Sequence, residues 1–294
     1  MQLNFFATES ASATTSTNVT NSSAPDTPPT IGEKFGKLWR DYVAAVDAWA
    51  SDLSRLSSVE QTVLRSEDYM AAIKPMSTYD AEKLKLDTSR NIRSRIKRHA
   101  EQVFGPPGGK LDVDDGDLNK QFPLETNHAV NFDPAALWVY LEKKYGGSAG
   151  QEIAHAQAAQ AFIHAFSLRQ SSPMERKGGF VILSRSVWID DHYKKWNKEN
   201  RPSHSSQQSI ADHIGALIGF ATWAERHELK IDLHRLREAF CAHGFSIETR
   251  KQYACGDKGE IVIVTFNKSF EYRIREDVAN QLNLFIGTYG QMGD

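Results

Sequence analysis

Glu260-Ile261-Val262-Ile263-Val264-Thr265-Phe266 is the stretch on which the fold turns. Five β-branched residues in succession favour a strand, because branching at Cβ suits a pleated surface and crowds a helical turn. The turn Cys255-Gly256-Asp257-Lys258-Gly259 precedes it, and residues 245–253 precede the turn, so the unit reads as a β-hairpin. Val262, Val264 and Phe266 alternate with Ile261, Ile263 and Thr265, so both faces of this strand call for burial. A closing helix is expected over 275–289, with Val278, Leu282, Phe285 and Ile286 on one face.

Upstream, helices are expected over 207–227 and 232–243, the second capped by Asp232 and ended by Gly244. Two helices before a hairpin are also the order of elements in a winged-helix module. There Arg235, Arg237, Arg250, Lys251 and Lys258 would supply charge, but Glu238, Glu248, Asp257 and Glu260 nearly cancel it, and an exposed wing would be polar on one side. A packed hairpin is therefore the reading carried forward. One further strand is expected in Phe180-Val181-Ile182-Leu183 through Ile189. Asp133-Pro134 opens a helix to 145 and an Ala-rich helix covers 151–168. Long helices are expected over 31–56, where Phe35, Leu38, Tyr42, Val46, Trp49 and Leu56 recur at three- and four-residue steps, and over 78–104, stopped by Gly105-Pro106-Pro107-Gly108-Gly109. The fold class is α+β, mostly helical, with a C-terminal β-hairpin and one upstream strand packed against helices.

The domain organisation follows from composition. Twelve of residues 1–30 are Ser or Thr and only Glu9 and Asp26 are charged, so this segment reads as a disordered tail. A helical region spans 31–104, a Pro/Gly/Asp-rich linker or loop 105–132, and an α+β domain 133–294. Forty per cent hydrophobic residues over 294 positions supports a real core. Two cysteines exclude a disulfide framework and point to a reducing compartment. No run of about 18 apolar residues and no signal-type N-terminus are present, so a cytoplasmic protein without a membrane partner is expected.

Many catalytic signatures are missing: a P-loop, a dinucleotide fingerprint, a nucleophile elbow and H-E-x-x-H all fail to occur. Asp112, Asp114, Asp115 and Asp117 resemble a calcium loop in composition, but Gly116 falls where an oxygen ligand is needed. His155 and His164, like His234 and His243, sit nine apart and so on opposite helix faces, and Glu152-x-x-His155 is only half of a di-iron motif. Neither a cofactor nor a metal is expected. A metal-dependent hydrolase or nuclease would have to use Glu175 and Lys177, read as loop residues, with Asp190 and Asp191, as converging carboxylates hold a divalent ion beside a lysine.

Charge is more informative. The net charge is −2, yet residues 83–98 hold seven Lys or Arg against Asp87 alone. Arg90, Arg93, Lys97 and Arg98 fall along adjoining rows of one helix, a pattern that contacts phosphates or else serves as a solvated face pairing with the Asp112–117 run. Lys194, Lys195 and Trp196, near Trp188 and Tyr193, combine cations with stacking surfaces.

Phe245-Ser246-Ile247, the Glu260–Phe266 strand and the helix with Val278, Leu282 and Asn283 resemble the ending of an uncharacterised family encoded on bacterial plasmids and prophages, some of whose members are joined to DNA methyltransferase domains. The likeness covers 230–290, with Lys177-Gly178-Gly179-Phe180-Val181-Ile182 similar in outline. It implies an origin on mobile DNA. Methylation does not carry over, because the Gly-rich cofactor loop and the Asn/Asp-Pro-Pro-Tyr/Phe motif are missing. The resulting expectation is a non-enzymatic accessory protein of a mobile genetic element that binds nucleic acid or a nucleic-acid-handling partner. The alternatives are the hydrolase and a protein-interaction module in host conflict or plasmid maintenance.

Because residues 1–30 hold few large apolar side chains beyond Leu3, Phe5 and Phe6, deleting them is expected to leave the thermal midpoint nearly unchanged. A loss of several degrees in a melting curve would place the domain boundary elsewhere.

Overall fold

The computed structural model describes residues 29–64, 73–124, 131–169, 174–190, 195, 200–227, 229–241 and 245–290, with backbone alone at 64, 234, 235 and 241. The Ser/Thr-rich segment up to residue 28 lies outside them. Two hydrophobic clusters organise the described part.

The first cluster is helical. Helix α1 (Ile31–Leu64) continues well past the expected end at 56 and packs on α2 (Thr78–Phe104) and α4 (Pro134–Tyr145). Ser77 caps α2 by accepting from the Asp80 amide, and Asp133 caps α4 by accepting from Ala135 and Ala136. Trp39, Ile92, Ile96, Leu137, Trp138 and Leu141 meet at the centre, where Ile96 and Leu137 are fully buried. Truncating either to Ala would cost about 2–5 kcal/mol. The segment read as a linker does more than connect. Asp114 caps a short helix α3 (Asp115–Gln121), and Leu111, Val113 and Leu118 are buried in this cluster. Apolar residues at 111, 113 and 118, spaced among aspartates, dock the segment rather than leave it in solvent.

Helix α5 (Ala149–Ala165) joins the clusters: Ala154 packs in the first, Phe162 and Ile163 in the second. The second cluster lies beneath a five-stranded antiparallel sheet of order β1-β2-β5-β4-β3. The strands are β1 (Glu175–Lys177), β2 (Phe180–Ser186), β3 (Gln252–Cys255), β4 (Ile261–Thr265) and β5 (Ser269–Arg275). Helices α6 (His204–Glu225) and α8 (Glu276–Tyr289), with α5, cover the sheet's buried face. Helix α7 (His234–Cys241) reaches β3 through Phe240, which meets Tyr253 edge-on at 4.7 Å. This helix is described from His234, two residues beyond Asp232, and Gly244 lies outside the described residues.

The chain is thus α+β and mostly helical, and the β3–β4 hairpin is present: β4 is buried, with Ile261, Ile263 and Thr265 at 0% exposure, while β3 forms the sheet's edge with Gln252 and Ala254 exposed. Two features go beyond the sequence reading. Upstream, two strands form instead of one: Gly178 (φ 61) and Gly179 (φ 78) make a two-residue turn, and Glu175 and Lys177 belong to strand β1 rather than a loop. Ser269–Arg275 supplies a further strand, β5, whose Phe270, Tyr272 and Ile274 are fully buried. It pairs Leu183 with Tyr272 on one side and Ile263 with Tyr272 on the other, so the last strand in the chain is the middle one in space.

His213 of α6 is wedged beneath this middle strand. Its Nε2 lies 3.0 Å from the carbonyl of Ala165, which can only accept, so Nε2 carries the proton. Nδ1, 2.9 Å from the Tyr272 hydroxyl, is then the acceptor and Tyr272 donates. Burial, reinforced by the Arg185 charge and opposed by Ala165 and Asp212, pushes His213 from 6.5 down to about 4. Below pH 6.5 the unfolded chain takes up a proton that the folded chain refuses. Stability is therefore expected to fall by about 3 kcal/mol as pH drops from 6.5 to about 4. Denaturant titrations across that window should show the loss, and a shallower one in His213→Gln.

Candidate nucleic-acid interface

Helix α2 carries the basic run, and its neighbours sort the seven cations into two groups. Ile92, Ile96 and Ala100 turn one side into the core, which fixes where the charges point. Lys85 is buried and paired with Asp47 of α1 at 2.5 Å. Arg93 turns toward α3, where its guanidinium donates to the Phe122 carbonyl at 3.2 Å and to the side chain of Asn119. Burial pulls its pKa below the ordinary value, against Asp115, yet an arginine stays charged. Lys97 is mostly buried and surrounded by acids: Asp115 at 2.8 Å, Asp112 at 3.7 Å and Glu101 at 3.8 Å. Its burial disfavours the ammonium, but the bond to Asp115 and the three negative charges outweigh that and raise its pKa.

The acidic segment is strapped from further sides as well. The Val113 amide donates to Glu101 at 3.2 Å, and Gln157 of α5 exchanges two bonds with the Asp112 backbone, at 2.9 and 2.7 Å. Asp117 accepts from Lys144 at 2.6 Å and from the Tyr140 hydroxyl, which hold its carboxyl below the usual range. The same bond raises Lys144. The pairing of the basic helix with the Asp-rich run therefore exists, through Asp112 and Asp115 on Lys97, while Asp117 looks toward α4.

The remaining cations face solvent. Lys83, Arg90, Arg95 and Arg98 are exposed, and Arg90 makes one loose contact with Asp87 at 3.3 Å. Arg98 also borders an open hollow of about 370 Å³ that includes Lys110 and the Pro106-Pro107 turn. Of the four residues expected on α2, Arg90 and Arg98 belong to this outer face and Arg93 and Lys97 to the contact with α3. Lys83 and Arg95 join the outer face, and their helical spacing from Arg90 and Arg98 is the signal for it.

The other expected sites are not brought together. Lys195 is exposed, while Lys194, Trp196 and Asp191 lie outside the described residues. Glu175 and Lys177 are exposed on β1 near the turn end of β2, and Asp190 follows the opposite end of β2, where its amide donates to the Arg201 carbonyl at 2.8 Å. Among the described residues no group of three or more His, Cys, Asp or Glu side chains is arranged to hold a metal ion. A cleft between the sheet and α8, lined by Val181, Leu183, Ile274 and Leu282, offers about 70 Å³. That is far below the ~300 Å³ of a small-molecule pocket. No helix among the described residues is long and apolar enough to cross a membrane. No family model, curated protein or solved structure matches the chain.

Lys97→Met is expected to lower the unfolding free energy by about 1 kcal/mol, since Asp112 and Asp115 remain well solvated without it. Hydrogen exchange should quicken at amides of α3 and stay unchanged in the sheet.

Proposed function

We propose that this chain is a non-enzymatic nucleic-acid-binding protein whose contact surface is the outer face of α2. One observation supports the reading above the rest: Lys83, Arg90, Arg95 and Arg98 stand exposed along about 22 Å of one helix, with Asp87 the single acid between them in sequence. Cations so spaced neutralise phosphates and release the counterions condensed on them. Their side chains are not consumed by the core, unlike Lys85, Arg93 and Lys97. An origin on bacterial mobile DNA, as the C-terminal resemblance implies, is the setting this reading fits.

Asp112 and Asp115 act in it as an internal anion beside the contact surface, lowering its positive potential without covering it. The experiment is a mobility-shift titration with duplex DNA and single-stranded RNA at several salt concentrations. Arg95→Glu combined with Arg98→Glu is expected to weaken binding to all sequences and to reduce the salt slope by about two. Asp112→Asn with Asp115→Asn should strengthen binding several-fold. Failure of the wild-type chain to shift any probe at low salt, or an unaltered shift in the folded Arg95/Arg98 variant, would sink the proposal.

A further inference from the structure

Helix α1 buries only one of its two apolar stripes. Trp39 and Val46 face the core at 4% exposure each. A second stripe is left outside: Leu38 (48%), Trp49 (52%), Leu56 (45%), Val59 (54%) and Val63 (71%). These belong to a heptad seam that alternates steps of four and three from Ile31 to Val63, with Asp52 its one polar member. A strict seven-residue repeat kept over the whole length of a helix is the signature of supercoiled packing against another helix.

From this seam we infer that α1 pairs antiparallel with α1 of a second copy of the chain. Three observations select that occupant. The first is orientation. One flank of the seam, at Gly32, Trp39 and Val46, is turned into the chain's own core, so a partner meets only the other flank, at Lys34, Asp41, Ala48, Arg55 and Thr62. A parallel pair sets this flank against the covered one, whereas an antiparallel pair sets it against itself. The second is charge. With the two-fold axis beside Ala48, Asp41 of one copy faces Arg55 of the other, twice, and Lys34 faces the neutral Thr62. The third is size and overlap. In that register Trp49 lies over Ala45 of the other copy, Leu38 against Leu56, and Tyr42 beside Asp52, while Val59 and Val63 find Phe35 and Ile31. Each seam position then has a counterpart along about 48 Å of helix. Asp52, bonded to Arg55 at 3.4 Å in the single chain, meets Tyr42 of the other copy, whose hydroxyl gives up its long 3.5 Å bond to the Leu84 carbonyl to donate to the carboxylate, and so fixes the register.

The pairing does not rest on the nucleic-acid reading, and sedimentation equilibrium of the full-length chain tests it. The expected result is a dimer at micromolar concentration. Leu56→Glu with Val63→Glu should yield a monomer with unchanged far-ultraviolet circular dichroism. Asp41→Arg alone should weaken the dimer about tenfold, because the ion pair occurs twice, and Asp41→Arg with Arg55→Asp should restore it. That rescue separates a specific seam from a general loss of folding. A wild-type monomer at high concentration would show the stripe covered by another part of the chain or by a different protein, and would overturn the proposal. So would a dimer indifferent to Leu56→Glu, or a double charge reversal that fails to rescue.

Discussion

A phenol hydroxyl shut away from solvent has to be given a partner, and the one on Tyr272 organises the sheet half of this molecule. Tyr272 sits at 0% exposure in the middle strand, with a neighbour on each side in register. It donates to His213, and the imidazole can accept only while its other nitrogen donates to Ala165, the last residue of α5. Three elements distant in sequence are thereby fixed at one point. Phe166 completes the arrangement, stacked on His213 at 5.0 Å and edge-on to Tyr272 at 5.1 Å. Arg185, on the same face of the sheet, places its guanidinium 5.9 Å from the Phe166 ring and bonds the Ser184 carbonyl. A cation this near a neutral histidine makes protonation there costlier still.

In the helical half, the governing feature is how α2 divides its charges. A lysine or arginine turned inward without an acceptor would be costly, so each inward cation brings a specific partner: Asp47 for Lys85, Asp115 for Lys97, a carbonyl and an amide side chain for Arg93. Those requirements dock the acidic segment, and docking places Leu111, Val113 and Leu118 in the core. What looks like electrostatics on the surface is therefore a means of closing the cluster around Ile96, and the cations left over are those with no packing duty.

Helix boundaries were largely legible in the sequence because caps and stops are local: Ser77, Asp133 with Pro134, and Gly105 act within one turn. The β3–β4 hairpin was legible for the same reason. Strand β5 was not, although Phe270, Tyr272 and Ile274 alternate strictly with Glu271, Arg273 and Arg275. That alternation runs straight into α8, and the helix signal beginning at Glu276 masked it. The role of residues 105–124 was hidden by composition, since glycine, proline and aspartate outnumber the few apolar residues, Leu111, Val113 and Leu118, that dock it. In the charge map, the run itself was plain, but which cations point outward depends on where α3 lands, and nothing near residues 90–98 announces that. The two stripes of α1 merged into one in the sequence because they lie side by side on the helix; only the exposure of Trp49 and Leu56 against the burial of Trp39 and Val46 separates them.

The position of β5 at the centre of the sheet has a consequence for how the chain is made. Strand β2 finds its partner roughly ninety residues later, and β4 joins only through that same partner. The cluster of α1, α2 and α4 lacks only the start of α5, at Ile153 and Ala154, once the first half of the chain is made, and can form while the rest is still being synthesised. Strand β2, by contrast, emerges with Val181, Ile182 and Leu183 ready for pairing and must wait through two helices and a hairpin. Contacts so distant in sequence slow folding and leave an unpaired apolar strand open to wrong partners in the interval. During synthesis the short β1, folded back on β2 by Gly178 and Gly179, covers one edge of that strand, and it is the part of the sheet available early enough to do so.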